Sequence, residues 1–374
     1  MRSFKTVVNS TGRTAVINGR EVLMFGSNDY LGLSRHPEVV KAVAGHVEKH
    51  GFGAGSSRLV CGNTAAHEEF ESQIAAYLGK PAALTFNSGY SANVGTLTAL
   101  LGKGDVVFAD RLCHASILDG IRWSGAKLVR FVHNDADSLR SLMLKHGSRR
   151  GKSLVVTEGV FSMDGDKGRL LEIGRVAKEH GAIYMVDDAH GVGVFGPDGR
   201  GTIHEAGAAE LVDIHIITLG KAFGGTGGVV AGSKSLIDGL VNFSRSFVYS
   251  TGIPPAAAVG AMAALNVIKS DEGKKLRSKI MTNMEKVVYC FKNACYISVS
   301  CASQIIPVPW VDDKDLASAG DRLLELGVFA PAIRPPTVPK GTGRFRVSIT
   351  SDHTEQDIAK AASAFGRILT GQGD

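Results

Sequence analysis

The stretch IHIITLGKAFGGTGGVVAG, residues 214–232, decides the fold. An apolar run rich in isoleucine halts at Lys221 among glycines and other small residues, then resumes as GGVVAG. The first run is short, continuous in hydrophobicity and β-branched, so it reads as a strand buried on both faces. Upstream runs read alike: AALTF (82–86), DVVFA (105–109), SLVVTEG (153–159) and IYMVDD (183–188). Helical stretches lie among them. SRHPEVVKAVAGHVEKHG (34–51) places Pro37 in a first helical turn and stops at Gly51. NTAAHEEFESQIAAYLGK (63–80) aligns Phe70, Ile74, Tyr77 and Leu78 on one face, between a Thr64 N-cap and Gly79 just past the end. Apolar strands alternating with helices predict an α/β fold with a mostly parallel sheet covered on both faces.

Beyond about Pro254 helical patterns take over. The tail then reads strand, helix, strand, helix: QIIPVPW, DLASAGDRLLELG, FRVSI and TEQDIAKAASAFGRIL. This predicts a small α+β domain, with the first residues, to about Val22, packed on it. The expected division is 1–33 as an N-terminal segment of the small domain, 34–265 as the large domain and 266–374 as the small C-terminal domain. A chain of 374 residues, 44% hydrophobic, is long enough for such a core.

Charge and cysteine usage exclude several functions. With 42 basic and 36 acidic residues the net charge is +6, and basic clusters such as Arg149-Arg150-Gly151-Lys152 are short. That reads as a solvated surface with no nucleic-acid face, although an anionic small substrate would suit it. Cys61, Cys113, Cys290, Cys295 and Cys301 are odd in number and form neither CxxC nor a zinc spacing. Reduced thiols and no metal are expected. The opening MRSFKTVVNSTG has no apolar signal core, and the longest apolar run, Pro254 to Ile268, is too short for a bilayer. A soluble, cytoplasmic protein follows as the expectation.

Ligands of open α/β sheets bind outside the carboxyl ends of the strands. The exits here carry Asn87-Ser88-Gly89-Tyr90, then Asp110 and His114, then Glu158 and Ser162, then Asp187, Asp188 and His190, then Thr218 and Lys221. One polar exit is ordinary loop chemistry; five in succession suggest a shared site. GVGVFG (191–196) matches GxGxxG literally, but Pro197-Asp198-Gly199 follows as a turn where a dinucleotide site needs a helix. FNSGYSANVG (86–95) runs from strand through Ser-Gly into a helix, where free N–H groups can hold a phosphate. The acid at Asp187 fits a helix cap, or a partner that keeps a pyridine nitrogen protonated and makes the ring an electron sink. Lys221 among small residues fits an exposed loop, or an amine nucleophile with room for a flat ring attached to it.

The segments SNDYLGL, SGYSANVG, DRLCHAS, TEGVFSMDGD, VDDAHGVGV, TLGKAFG and YSTGIPP give the chain a family likeness. From about Arg13 to Ile368 it resembles the α-oxoamine synthases. These are pyridoxal-phosphate (PLP) enzymes of the aspartate-aminotransferase fold that join an amino acid to an acyl thioester with loss of carbon dioxide. The resemblance implies a large domain with a sheet of the seven-stranded type and a homodimer with shared active sites. Lys221 would carry PLP and move the α-proton. Asp187 would pair with the ring nitrogen, His190 with the ring hydroxyl beside Ser162, and His114 would stack on the ring and meet the substrate. Ser88, Gly89, Tyr90, Glu158 and Thr218 join the cofactor set, and Ser250 and Thr251 would reach the phosphate from the neighbouring subunit. Asn28 and Arg334 match positions near the amino-acid carboxylate, and Thr337 matches a substrate-contacting position. Counting back from Asn28, Arg2 falls at an arginine that helps recognise the acyl chain. GAGSSRLVCG (53–62) departs from the family's more glycine-rich version. Within the family, FVHNDADSL, VIKSDEG and AIRPPTVPKGTGRFRVSIT resemble most the member that condenses L-alanine with pimeloyl-CoA, or the carrier-protein thioester, in biotin synthesis. The alternative is the member that joins glycine to acetyl-CoA.

Overall fold

The structure, a computed structural model, describes residues 4–147, 151–295 and 301–370. The chain divides into two compact units. The larger comprises His36–Phe161 and Lys167–Lys274; the smaller takes the described residues up to Arg35, Ser162–Asp166 and those from Lys275 on.

The larger unit is built on seven strands: β1 (Ala82–Phe86), β2 (Val106–Asp110), β3 (Lys127–Phe131), β4 (Ser153–Glu158), β5 (Ile183–Asp187), β6 (Ile214–Thr218) and β7 (Gly228–Gly232). Their order across the sheet is β1-β7-β6-β5-β4-β2-β3. The pairs β6/β5, β5/β4, β4/β2 and β2/β3 are parallel, while β7 runs antiparallel to both β6 and β1. Alternate residues feed two separate cores. Val107, Ala109, Leu154, Val156, Ile214 and Ile216 pack against helices Gly89–Leu100 and Ala115–Ser124. Val106, Phe108, Val155, Tyr184 and Val186 pack against helices Ala136–His146 and Leu170–Glu179. Both faces are therefore covered, and near-continuous apolar strands are the consequence.

Helix Pro37–His50 begins at its proline, and helix Ala65–Leu78 ends at a left-handed Gly79. The start of the second is closed by an unexpected residue: the Thr64 N–H donates to His67 Nδ1 at 3.2 Å. The other ring nitrogen of His67 then carries the proton and donates to the Ile253 carbonyl at 2.9 Å. Helix Pro255–Lys269 belongs to the larger unit, its Gly260 seated against Val43. The division therefore falls inside helix Asp271–Cys295, later than residue 265.

The smaller unit holds two sheets. Strands Thr14–Ile17 and Arg20–Met24 pair antiparallel, and Val328–Phe329 adds parallel to the second. Strands Ile305–Pro309, Arg344–Ser348 and Ala332–Ile333 form a three-stranded antiparallel sheet. Phe25, Phe291, Trp310, Phe345 and Phe365 form its core with helices Leu316–Glu325 and Glu355–Thr370. No helix among the described residues is long and apolar enough to cross a membrane.

Candidate active site

Lys221 stands in the loop between β6 and β7. The Leu219 N–H donates to Gly227 O at 2.9 Å, the Gly224 N–H to Lys221 O at 2.8 Å and the Gly225 N–H to Leu219 O at 2.8 Å. Gly224 and Gly227 adopt φ of 64° and 121°, so this loop needs glycine there. The lysine Nζ lies 2.6 Å from His190 Nε2. A contact that short needs a lone pair on one of the two nitrogens, so the pair shares one bridging proton.

Asp187 ends β5 and is 7% exposed. Its carboxylate accepts from the Asn93 side-chain amide at 2.7 Å and from the Ala189 N–H at 3.1 Å. Both donors are neutral, and the described residues offer it no ion-pair partner. A buried carboxylate without a cation is costly and suits a ligand that brings positive charge, such as a protonated ring nitrogen. Glu158 is Asp187's neighbour across the parallel pair and is 3% exposed. Burial, reinforced by the charge of Asp187, pushes its pKa well above the ordinary carboxylate range. Its carboxylate accepts the backbone N–H of His114.

His114 caps helix Ala115–Ser124 and keeps an accessible surface in a crowded surround. Lost hydration holds its imidazole below the ordinary value, opposed by Asp187 and aided by Lys221. Lys221, His190, Asp187, His114 and Glu158 thus form one cluster at the exits of adjacent strands.

A second cluster lies where β1 turns into helix Gly89–Leu100. The Ser88 hydroxyl caps the helix by accepting from the Ser91 N–H at 3.0 Å. The N–H groups of Gly89 and Tyr90 open the helix and have no acceptor within it. A Cβ on Gly89 would stand 3.5 Å from Thr218 Oγ1, so the helix start and this hydroxyl adjoin. Such a cradle fits a phosphate. Asn87 donates to Ser250 Oγ at 2.7 Å and to Thr251 O at 3.0 Å, so this segment lies beside the cradle of its own chain. The Tyr90 hydroxyl is turned to Asp119 at 2.8 Å.

The smaller unit holds the remaining candidates. Asn28 Oδ1 accepts from Arg346 Nη1 at 3.1 Å, and Arg346 Nε donates to the Ser162 carbonyl at 2.6 Å. Arg334 and Thr337 share a turn, the Thr337 N–H donating to Arg334 O at 3.1 Å, with Thr337 exposed. Arg2 lies outside the described residues. Two residues beside the candidates of the larger unit and one beside those of the smaller unit had not been singled out. Asn93 stands four residues after Gly89, on the same helix face, a spacing that could have marked it. Ser116 sits two residues past His114 in the quoted DRLCHAS. Arg346 is hidden in a strand pattern.

The glycines of GVGVFG serve the fold. A Cβ on Gly191 would lie 1.9 Å from Asp188 Oδ1, and Gly193 and Gly196 have φ of 91° and 75°. Among the described residues no group of three or more His, Cys, Asp or Glu side chains is placed to hold a metal ion.

The family model for class I and II aminotransferases matches residues 20–365. An 8-amino-7-oxononanoate synthase of Geobacter metallireducens is 44% identical over 100% of this chain and 95% of its own length. One from Geobacter sulfurreducens is also 44% identical, over 98% and 94%. Among solved structures, a serine palmitoyltransferase from S. paucimobilis with PLP and myriocin bound has a TM-score of 0.93 at 30% identity, covering 98% of this chain and 92% of that one. An 8-amino-7-oxononanoate synthase from Francisella tularensis has a TM-score of 0.78 at 28% identity, covering 94% and 98%. With such relatives along nearly its whole length, the chain belongs to the class I and II aminotransferase family.

Proposed function

We propose that the chain is a PLP-dependent acyltransferase that joins L-alanine to a pimeloyl thioester. The products are 8-amino-7-oxononanoate for biotin synthesis, the free thiol carrier and carbon dioxide. One observation carries the reading: 44% identity, end to end, to synthases of that name.

The residues fit the cofactor. The Lys221 amine suits its aldehyde, Asp187 its ring nitrogen, His190 its ring hydroxyl and His114 its ring face. The Gly89 and Tyr90 N–H groups with Thr218 suit the phosphate. When bound, PLP supplies an electron sink that acidifies the α-hydrogen of the amino acid. Asp187, buried and without an ion-pair partner among the described residues, would favour the protonated form of that ring nitrogen. Lys221 takes the α-proton and later returns it. Asn28 and Arg334 are read as meeting the amino-acid carboxylate, to which a guanidinium fork can donate two parallel hydrogen bonds, and Thr337 as contacting substrate.

The reading includes a cytoplasmic homodimer. Leu59, Val60 and Tyr249 are 53%, 76% and 73% exposed. They flank the bridge between Ser57 and Thr251, and an apolar surface of that kind suits a second copy of the chain. The TM-score of 0.93 favours a second reading, serine with a palmitoyl thioester, against which the 30% identity of that neighbour weighs.

The test is thiol release by the purified protein with added PLP. L-alanine, glycine and L-serine are crossed with pimeloyl-, acetyl- and palmitoyl-CoA and with the pimeloyl carrier-protein thioester. Release with alanine and a pimeloyl donor, at least tenfold above every other pairing, is expected. Preference for glycine with acetyl-CoA, or serine with palmitoyl-CoA, would replace the proposal.

A further inference from the structure

The side chains behind His114 form a continuous chain to Asp187. His114 Nδ1 lies 2.8 Å from Ser116 Oγ and also takes the Ser116 backbone N–H at 3.3 Å. A backbone N–H can only donate, so Nδ1 must present its lone pair, and the ring proton of the neutral imidazole resides on Nε2. The Ser116 oxygen accepts from Asn93 Nδ2 at 3.0 Å, which turns its own proton toward Nδ1. The same Nδ2 donates its second hydrogen to Asp187 Oδ2 at 2.7 Å. Asp187 therefore fixes the amide's orientation, since the flipped form would set two acceptors against each other. The cost is visible: Asn93 is 2% exposed, yet its Oδ1 has no hydrogen-bond partner. Ser116 is fully buried, so no water competes for this chain.

We propose that Asn93 and Ser116 are positioning residues that lock His114 as the Nε2–H tautomer, leaving Nε2–H as the ring's single free donor. A fixed donor at that place serves the oxygen of a thioester under attack, where negative charge develops. A histidine free to change tautomer would present a lone pair there part of the time. Lost hydration, which lowers the imidazole's pKa, favours the neutral ring that this arrangement uses. The part played at the thioester rests on the proposed acyltransferase reading; the tautomer does not.

The experiment is nitrogen NMR on the full-length holoenzyme and on the cofactor-free protein, both with 15N-labelled histidine. The signal of His114 is assigned among the 12 histidines by its loss in His114→Asn. The expected result is a pyridine-type Nδ1 and a pyrrole-type Nε2 in both forms. Ser116→Ala removes the shorter of the two donors to Nδ1, the hydroxyl at 2.8 Å, and leaves only the backbone N–H at 3.3 Å, so it should raise the Nδ1–H fraction and lower kcat about tenfold, the worth of one hydrogen bond, with KM for L-alanine unchanged. Ser116→Thr, which keeps the hydroxyl, should restore both. A protonated Nδ1 in the wild-type protein would overturn the inference without recourse to any variant, so a poorly folding Ser116→Ala leaves it testable. A Ser116→Ala protein with wild-type tautomer and kcat would overturn it equally. A protein with the expected tautomer that fails to turn over alanine with any pimeloyl thioester would end the proposed function alone.

Discussion

Lys221 and His190 stand 2.6 Å apart, closer than two protonated nitrogens tolerate. The contact puts one lone pair between the two nitrogens, and the proposed role of Lys221 yields the simplest prediction. Lys221→Ala should purify without the visible absorption of a lysine-bound cofactor and lose turnover by at least a hundredfold, the usual worth of a placed general base. Absorbance spectra and the thiol-release assay measure both, and a variant that kept wild-type turnover would sink the role. At this scale the sequence was legible where a residue is odd in its surroundings. A lysine among glycines, an acid pair ending a buried strand and a histidine after an apolar run stand out in one dimension. Asn93 and Arg346 do not. Asn93 sits in a helix of small residues, and its role comes from contacts with Asp187 and Ser116, 94 and 23 positions away in the chain. Arg346 alternates with apolar neighbours in a strand and gains its role only by meeting Asn28, 318 positions away.

Elements were legible when their burial was simple. Thr64 and Gly79 bracket helix Ala65–Leu78, and five strands read as buried runs match β1, β2, β4, β5 and β6. Strand β3 escaped because it is an edge: Lys127, Leu128 and Arg130 are exposed and break the apolar run. Strand β7 was legible as a strand, but its antiparallel direction is set by pairing, which hydrophobicity cannot encode. The helix Glu355–Thr370 carries a prediction of its own. Asp357 accepts from the Thr354 N–H at 2.8 Å and from Arg13 Nε at 2.6 Å. Burial pushes its pKa up, but Arg13 and Thr354 outweigh that and hold it at about 2. The folded value lies below the unfolded one, near 3.9. The stabilisation is therefore complete above about pH 4 and fades as pH falls through about 2. Arg13 is partly exposed, so screening trims the effect to about 1–2 kcal/mol. Asp357→Asn should lower the unfolding free energy by that amount at pH 7 and by less at pH 3, measured by denaturant titration. A gap that widens toward acid pH would reject the assignment.

At the scale of the whole molecule, the chain returns to its smaller unit twice. Ser162–Asp166 leaves the larger unit's sequence to join residues near Arg344 and Arg346, through Asp164 and the Ser162 carbonyl. No local pattern announces such an excursion, because its cause lies 184 positions away in Arg346. The Ser250–Thr251 segment poses the corresponding question between chains. Asn87 binds it beside the helix start of its own chain at 2.7 Å, whereas the family likeness assigns it to the phosphate of a neighbour. Co-expression of two inactive variants separates the two. One carries Lys221→Ala, the other Ser250→Ala with Thr251→Ala, under different affinity tags. If the segment serves the neighbour, each mixed dimer has one site with an intact lysine and an intact segment. Random pairing then restores about a quarter of wild-type activity. If it serves its own chain, every site in the mixed dimer keeps one lesion and activity stays at the level of the parents. Doubly tagged dimers isolated by two affinity steps give the clean measurement, expected at about half the wild-type turnover per dimer because one of two sites works. Recovery of dimers that carry both tags tests the dimer itself, and a monomer in solution would remove the need for the segment to act across chains.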